Sequence, residues 1–217
     1  MSLFLKTPLS HASSMTIQPA RFTIKNNEQW IPHRVFLFSG HMIDTAGRAS
    51  PRFPIEKVSL ATQTINHRLT KLHAGANDLA ITQGANGGDI LFAEACIEHN
   101  MQLQFLQPFC ESEFIQNSVS PGGEDWQNRY QAIRQQTPSL PLAAPEQLGP
   151  LPNNMNAYER CNLWLLNTAL SYGTDKLIFI CLWDGGDGNG PGGTAHMVEE
   201  VKKQQGQIEW LNPNKLN

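Results

Sequence analysis

The sequence predicts an α/β protein, with a Rossmann-like, doubly wound, mainly parallel five-stranded sheet and helices on both faces. Short apolar runs alternate with longer segments of helical periodicity, which is typical of repeated strand–helix units. The run Leu177–Trp183 is wholly apolar and lies between turn residues, as expected of a strand buried on both faces. Six glycines among positions 185–193 then lead into a helix. We therefore assign residues 31–217 to a single domain of this type and residues 1–30 to an irregular N-terminal arm.

The first part of the domain is divided by proline and glycine. Pro54 suits the first turn of a helix, Pro108 closes a strand, and residues 121–123 (Pro-Gly-Gly) separate two helices. In the arm, residues 22–24 fit either an edge strand or a tail that joins the domain to an upstream one. The predicted strands cover residues 34–39, 78–82 and 103–106, and the predicted helices cover residues 55–73, 90–100, 111–118 and 124–136.

The second part begins with a long connection. Residues 137–156 contain five prolines and little periodicity, so a functional or mobile loop is expected there, and the sequence leaves open whether it forms a lid. Gly173 suits the end of the helix that follows this loop. The remaining predicted elements are a helix over residues 158–172, a strand over 177–183, a helix over 194–205 and a strand over 207–211.

Composition narrows the function classes. The chain has 217 residues, 16 Lys and Arg against 19 Asp and Glu, and a net charge of −3 without a basic run, which argues against binding to duplex nucleic acid. The four cysteines fall in different predicted elements without metal-type spacing, which favours a reducing, cytoplasmic setting. Neither a signal peptide nor an apolar stretch of about 20 residues is visible, so no membrane association is expected.

Three turns with glycine, hydroxyl, imidazole or carboxylate groups each follow a predicted strand. Because the carboxyl ends of parallel strands meet at one edge of a sheet, we expect these turns to converge on one ligand. The candidate ligand-binding residues in the turns are Ser39, Gly40, His41, Asp44, Gly84, Ala85, Gly87, Gly88, Asp89, Asp184, Gly192, Gly193 and Thr194.

The third turn has the clearest chemistry, since bare amides at a helix N-terminus attract an anion such as phosphate. The alternative is that Thr194 merely caps that helix. The second turn matches neither the GxGxxG nor the Walker pattern. Its glycines therefore either approach a ligand or only allow close packing, and Asp89 either holds a ligand hydroxyl or caps a helix.

Two more residues are candidates outside the turns themselves. Arg160 is positioned to act as a phosphate clamp or to be an ordinary surface arginine, and His196 is positioned to contact a base or phosphate or to remain a solvated side chain. A calcium loop is not supported, because a Glu would be needed at Ala195 or Val198. We expect neither a metal nor a cofactor.

The motifs of the three turns resemble the SLOG superfamily. The resemblance is carried by Phe38–Asp44, Gln83–Ala95, Leu106–Phe109 and Trp183–Ala195, and it extends over about residues 34–212. SLOG groups Rossmann-like sensor domains with DNA-processing proteins and the "lonely guy" phosphoribohydrolases. The resemblance implies binding of a nucleotide or nucleotide-derived signal, in some members within bacterial defence or signalling, and in others cleavage of an N-glycosidic bond.

The chain departs from the enzymatic branch at the carboxylate. That branch carries Pro-Gly-Gly-x-Gly-Thr with a Glu three residues after the Thr, whereas here residues 191–193 run directly into Thr194 and Met197 stands three residues on. Glu199, the acid five residues on, points to a substantially different helix face. The remaining weak catalytic candidates are Glu94, Glu199 and Glu200.

The sequence therefore favours a domain that binds a nucleotide-derived small molecule. The alternative is an N-glycoside hydrolase that acts on a nucleoside monophosphate, with one of the three glutamates stabilising the charge or activating water. A third interpretation is an oligomerising scaffold with an empty site. The expected protein partners are a second copy of the chain or a fused or associated effector domain.

Overall fold

A computed structural model describes residues 17–20, 30–137, 139–186, 190 and 192–216. Its strands form one six-stranded, all-parallel sheet. They are β1 (Val35–Gly40), β2 (Leu79–Thr82), β3 (Gln102–Gln107), β4 (Leu142–Ala143), β5 (Leu177–Leu182) and β6 (Gln207–Leu211). The spatial order is β4-β3-β2-β1-β5-β6.

Seven α-helices lie within the described residues. They are α1 (Val58–Lys71), α2 (Gly88–Glu98), α3 (Glu111–Phe114), α4 (Glu124–Gln136), α5 (Ala144–Leu148), α6 (Ala157–Leu170) and α7 (Thr194–Lys203). One π-helical segment, Ile115–Val119, continues α3, and short 3-10 turns are Ile55–Lys57, Ser120–Gly122, Thr174–Lys176 and Pro213–Lys215.

The sheet separates two cores, because successive side chains of a strand point to opposite faces. On β1, Phe36 and Phe38 pack with α1, α2 and α4, while Val35 and Leu37 pack with α6 and α7. Strand β5 is buried along its whole length, as its apolar sequence predicts. The doubly wound α/β fold is therefore confirmed.

The strand count is the main difference from the sequence prediction. A sixth strand, β4, and the short helix α5 lie inside the stretch expected to be an unstructured loop, residues 137–156. Strand β4 has two residues, and Leu106 pairs with Leu142 in its register. Two residues are too few to produce an alternating pattern, so the sequence held no signal for this strand.

Only parts of the predicted N-terminal arm are described. Residues 17–20 lie against α6, where Ala20 N donates to Thr168 Oγ1 at 2.9 Å and Asn167 Nδ2 donates to Ile17 O at 3.2 Å. The proposed edge strand at residues 22–24 lies outside the described residues. No helix in the described part of the chain has the length and apolar character needed to cross a membrane.

Strand order reverses at β1. From β1 the chain proceeds outward to β2, β3 and β4, and then it returns through α6 to β5 on the other side of β1. The connections that leave the carboxyl ends of β1 and β5 therefore diverge and open a crevice, which is where ligands bind in sheets of this kind.

Candidate functional site

A cavity of about 360 Å³ occupies this crevice. All three predicted turns contribute to its wall, together with the start of α6 and the π-helical segment. The described lining residues are Ser39, Gly40, His41, Met42, Arg52, Gln83, Ala85, Asp89, Ser118, Asn156, Tyr158, Asn162, Gly192, Gly193 and Thr194.

The candidate residues divide into two groups. Eight of the ligand-binding candidates line the cavity: Ser39, Gly40, His41, Ala85, Asp89, Gly192, Gly193 and Thr194. The others do not line it: Asp44, Gly84, Gly87, Gly88, Arg160, Asp184 and His196.

The glycines of the second turn serve close packing. A Cβ on Gly88 would lie 3.1 Å from Cα of Gly40, and a Cβ on Gly87, which has a φ of +84°, would lie 2.6 Å from the carbonyl oxygen of His41. A Cβ on Gly84, with φ +88°, would lie 3.1 Å from the ring of Phe105. For these three glycines the packing interpretation therefore accounts for the residue type.

Asp89 is a buried carboxylate at the cavity wall. Its Oδ2 accepts hydrogen bonds from Gly84 N at 3.2 Å and Ala85 N at 3.3 Å. Burial raises the pKa of Asp89 to about 6, against the opposing effect of these amides. The helix-cap interpretation was wrong, because the N-cap of α2 is Gly87, and Asp89 instead fixes the turn that precedes the helix.

His41 and Asp184 join the carboxyl ends of β1 and β5. Asp184 N donates to His41 Nε2 at 3.1 Å, and Gly186 N donates to Asp184 Oδ1 at 3.0 Å. Burial lowers the pKa of His41, although the carboxylate of Asp184 opposes this effect. Burial acts to raise the pKa of Asp184, but the hydrogen bond from Gly186 N and the interaction with the nearby His41 ring outweigh it, so that pKa is lowered. At neutral pH the pair is therefore a neutral imidazole beside a carboxylate.

The glycine-rich third turn is held by α6. Asn162 Nδ2 donates to Gly192 O at 2.8 Å, and Gln83 Nε2 donates to Asn162 Oδ1 at 2.8 Å. Gly192 has a φ of +95°, and a Cβ there would lie 2.7 Å from Cβ of Tyr158. The carboxyl end of β2, helix α6 and the third turn thus form one hydrogen-bonded chain of contacts.

The third turn delivers the N-terminus of α7 to the cavity. The N-cap is Gly193, which has no side chain to satisfy the first amides, and Thr194 is the first helical residue. The interpretation of Thr194 as the cap was therefore wrong; its Oγ1 accepts from Ser39 Oγ at 3.2 Å instead. The positive end of the α7 dipole therefore lies at the cavity. No acid in the first turn of α7 offsets this charge, and Lys202 and Lys203 lie in its last turn.

Several lining residues were missed by the sequence interpretation: Met42, Arg52, Gln83, Ser118, Asn156, Tyr158 and Asn162. Arg52 is the cationic side chain among the described lining residues. Ser118 lies in the π-helical segment, and its Oγ is 2.9 Å from the Tyr158 hydroxyl. Gln83 directly follows a predicted strand, which is a signal that could have identified it.

Two polar candidates, Asp44 and His196, lie outside the cavity wall. Asp44 Oδ2 accepts from the backbone nitrogens of Arg52 at 2.7 Å and Phe53 at 2.8 Å, so it orders the loop that carries Arg52. His196 lies on α7 with Nε2 3.8 Å from Glu200 Oε1 and does not reach the cavity wall.

Arg160 corrects the prediction of a phosphate clamp. Its Nη1 donates to Gly149 O at 2.9 Å and Pro150 O at 3.0 Å, and the side chain lies in a different hollow. Helix α6 places Tyr158 and Asn162 at the cavity, so the intervening Arg160 points to the opposite side.

None of the three candidate glutamates lines the cavity. Glu94 forms a two-bond pair with Arg129 at 2.8 and 2.5 Å, and Glu200 lies 2.5 Å from Lys203 Nζ. Glu199 is exposed on α7. The acid that does line the cavity is Asp89.

Metal binding finds no support in the described part of the chain, where no cluster of three or more His, Cys, Asp or Glu side chains is arranged to hold an ion. Asp187, considered for calcium, lies outside the described residues. No protein-family model matches this chain, and no curated protein is significantly similar to it. The chemistry that the cavity can support is therefore inferred from its lining residues and their geometry.

Proposed function

We propose that the chain binds a nucleotide or nucleotide-derived ligand in this cavity. The observation that carries the proposal is the N-terminus of α7, where the N-cap Gly193 supplies no side-chain hydrogen bond and which opens onto the same cavity as Arg52 and Asp89. Backbone amides at a helix N-terminus, the helix dipole and a guanidinium together favour a phosphate group. A buried carboxylate favours a donor such as a ribose hydroxyl or a base N–H.

The remaining lining residues suit the rest of such a ligand. Tyr158 offers a ring for a base, and Ser39, Gln83 and Asn156 offer polar groups for orientation. A cavity of about 360 Å³ is within the range of small-molecule sites and suits a mononucleotide better than a dinucleotide. With the SLOG resemblance, this chemistry favours sensing of a nucleotide signal, as in bacterial defence or signalling, with a second copy or an effector domain as the responding partner.

Calorimetry tests this proposal directly. Nucleoside monophosphates, cyclic mononucleotides and ADP-ribose are titrated into the protein, with the phosphate-free nucleosides as matched ligands. We expect at least one phosphorylated ligand to bind, and its nucleoside to bind at least about tenfold more weakly because the amides of α7 lose their partner. Absence of heat from every phosphorylated ligand would overturn the proposal.

A second candidate function is hydrolysis of an N-glycosidic bond, and the position of Asp89 favours it. A carboxyl with a pKa of about 6 is suited to proton transfer near neutral pH. Asp89 would take a proton from a water that attacks C1′ while the bond from C1′ to the base nitrogen breaks, and it would return that proton to the departing base. Chromatography would then detect free base with the native chain and none with D89N. If no nucleoside monophosphate releases base, this candidate is eliminated while binding stands.

A further inference from the structure

A second hollow lies on the other side of α6. It measures about 190 Å³ and is lined by Ile17 and Gln18, the end of α5, the connection between α5 and α6, and α6 itself. Most of its wall is apolar, with Ile17, Leu148, Pro152 and Met155 as the contributing side chains. Its residues are separate from those of the nucleotide cavity, so an inference here does not rest on the proposed function.

Arg160 is the charged group of this hollow, and it is only 3% exposed. Nη1 donates to the carbonyls of Gly149 and Pro150, and Nε is buried with no hydrogen-bond partner. Within the described residues no carboxylate lies within ion-pair distance of the guanidinium. A guanidinium stays protonated in proteins, and a buried charge is costly unless a counter-charge accompanies it.

The wall chemistry indicates what kind of anion would supply that counter-charge. Phosphate requires several donors around its oxygens, whereas here one guanidinium is supplemented by the side-chain amides of Gln18 and Gln147. A carboxylate needs fewer donors and matches the fork of an arginine. The apolar wall is suited to a short hydrocarbon chain attached to that carboxylate.

We propose that this hollow is a binding site for a short-chain aliphatic carboxylate. The carboxylate pairs with Arg160 and takes hydrogen bonds from the glutamine amides, and the chain lies against Leu148, Pro152 and Met155. Arg160 therefore both pairs with the ligand and, through Nη1, hydrogen-bonds the α5–α6 connection at the edge of the hollow.

The test uses ligand-observed NMR and calorimetry with sodium butanoate at constant ionic strength, with butan-1-ol and inorganic phosphate as comparison ligands. Two variants of the full chain disable the site differently: R160Q removes the charge, and M155W fills the hollow while keeping Arg160. The control is L151W, which adds the same ring at an adjacent, exposed position outside the lining. Thermal unfolding verifies that each variant is folded.

We expect butanoate to bind to the native chain and to L151W, and to bind at least about tenfold more weakly to R160Q and M155W. Butan-1-ol and phosphate should each bind at least about tenfold more weakly than butanoate to the native chain. Equal binding of butanoate to the native chain and M155W overturns the site, as does equal or tighter binding of phosphate. If R160Q fails to fold, the comparison of M155W with L151W still decides.

Discussion

The Nε2 atom of His41 lies 3.1 Å from the backbone nitrogen of Asp184 and 3.0 Å from Oδ1 of the same residue. A neutral ring protonated on Nδ1 accepts the backbone N–H at Nε2. A protonated ring instead donates from Nε2 to the carboxylate. Protonation therefore changes which atom of Asp184 is bonded, at the point where β1 and β5 open the crevice.

This relationship predicts a pH dependence for His41. Because burial lowers its pKa from 6.5, the unfolded chain takes up a proton at higher pH than the folded chain does. The contribution of His41 to stability is therefore complete above pH 6.5 and is lost as pH falls through the lowered folded value. Histidine-resolved NMR titration should give a midpoint below that of a free histidine, and a midpoint above 6.5 would contradict this account.

Asp89 should show the opposite pH dependence. Its pKa is raised from 3.8 to about 6, so its contribution is most favourable below pH 3.8 and is lost as pH rises through about 6. D89N removes the buried charge while retaining an oxygen for the Gly84 and Ala85 amides. We expect D89N to be more stable than the native chain at pH 7.5, by at most about 3 kcal/mol.

Urea unfolding across pH measures this difference. The gap between D89N and the native chain should widen from pH 4 to pH 6 and then stay constant. E199Q is the control, because it makes the same acid-to-amide change at an exposed position on α7 outside the cavity lining. A D89N gap that is independent of pH would refute the buried-charge explanation.

Gly192 should tolerate no side chain. In G192A the new Cβ meets Cβ of Tyr158 at 2.7 Å and Glu159 N at 2.9 Å, in addition to the strain of a φ of +95°. We expect a loss of about 2 kcal/mol or more in the free energy of unfolding, a displaced third turn and weaker binding of the proposed nucleotide ligand.

Gly190 provides a matched comparison. Its φ of +79° is similar, but within the described residues a Cβ there would meet no atom within 4 Å. G190A should therefore lower the free energy of unfolding only by the cost of placing alanine in the left-handed backbone region, about 1 kcal/mol. Similar losses for the two variants, measured by denaturant unfolding, would show that contact with α6 is not what fixes Gly192.

Asn162 should matter for ligand binding beyond its effect on stability. N162A leaves Gly192 O and Gln83 Nε2 without their partner, so the third turn loses its anchor to α6. We expect about 1–3 kcal/mol of destabilisation and a measurable loss of affinity for the proposed nucleotide ligand. N167A, which removes a bond to Ile17 O from the same helix, should destabilise without changing that affinity. Equal affinity losses in both calorimetric titrations would argue against the anchoring role.

The sequence predicted the elements that have strong periodicity or continuous apolar runs. Leu177–Leu182 and residues 35–38 are such runs, and the alternation of strands and helices then implied that the turns after them share an edge of the sheet. It did not predict β4, because a two-residue strand is defined by its partner β3 rather than by its own residues.

The direction in which side chains point was the second feature that the sequence did not predict. The sequence located the start of the helix that contains Arg160, but not the rotation of that helix about its axis relative to the sheet. Side chains two positions apart on an α-helix point in directions about 200° apart. Tyr158 therefore faces the cavity while Arg160 faces the second hollow. The pairing of His41 with Asp184 likewise depends on strands that are far apart in the chain.

The hydroxyls of Ser39 and Thr194 meet in the cavity although 155 residues separate them in the chain. During synthesis, β1 to β4 can assemble before the ribosome has produced β5, but the crevice has only one side at that stage. Closing so long a chain segment is also a slow step for a full-length chain that refolds. Binding of a ligand in the cavity would consequently indicate that the chain has folded completely. A chain interrupted after α5 would form only part of the sheet and would lack the binding cavity.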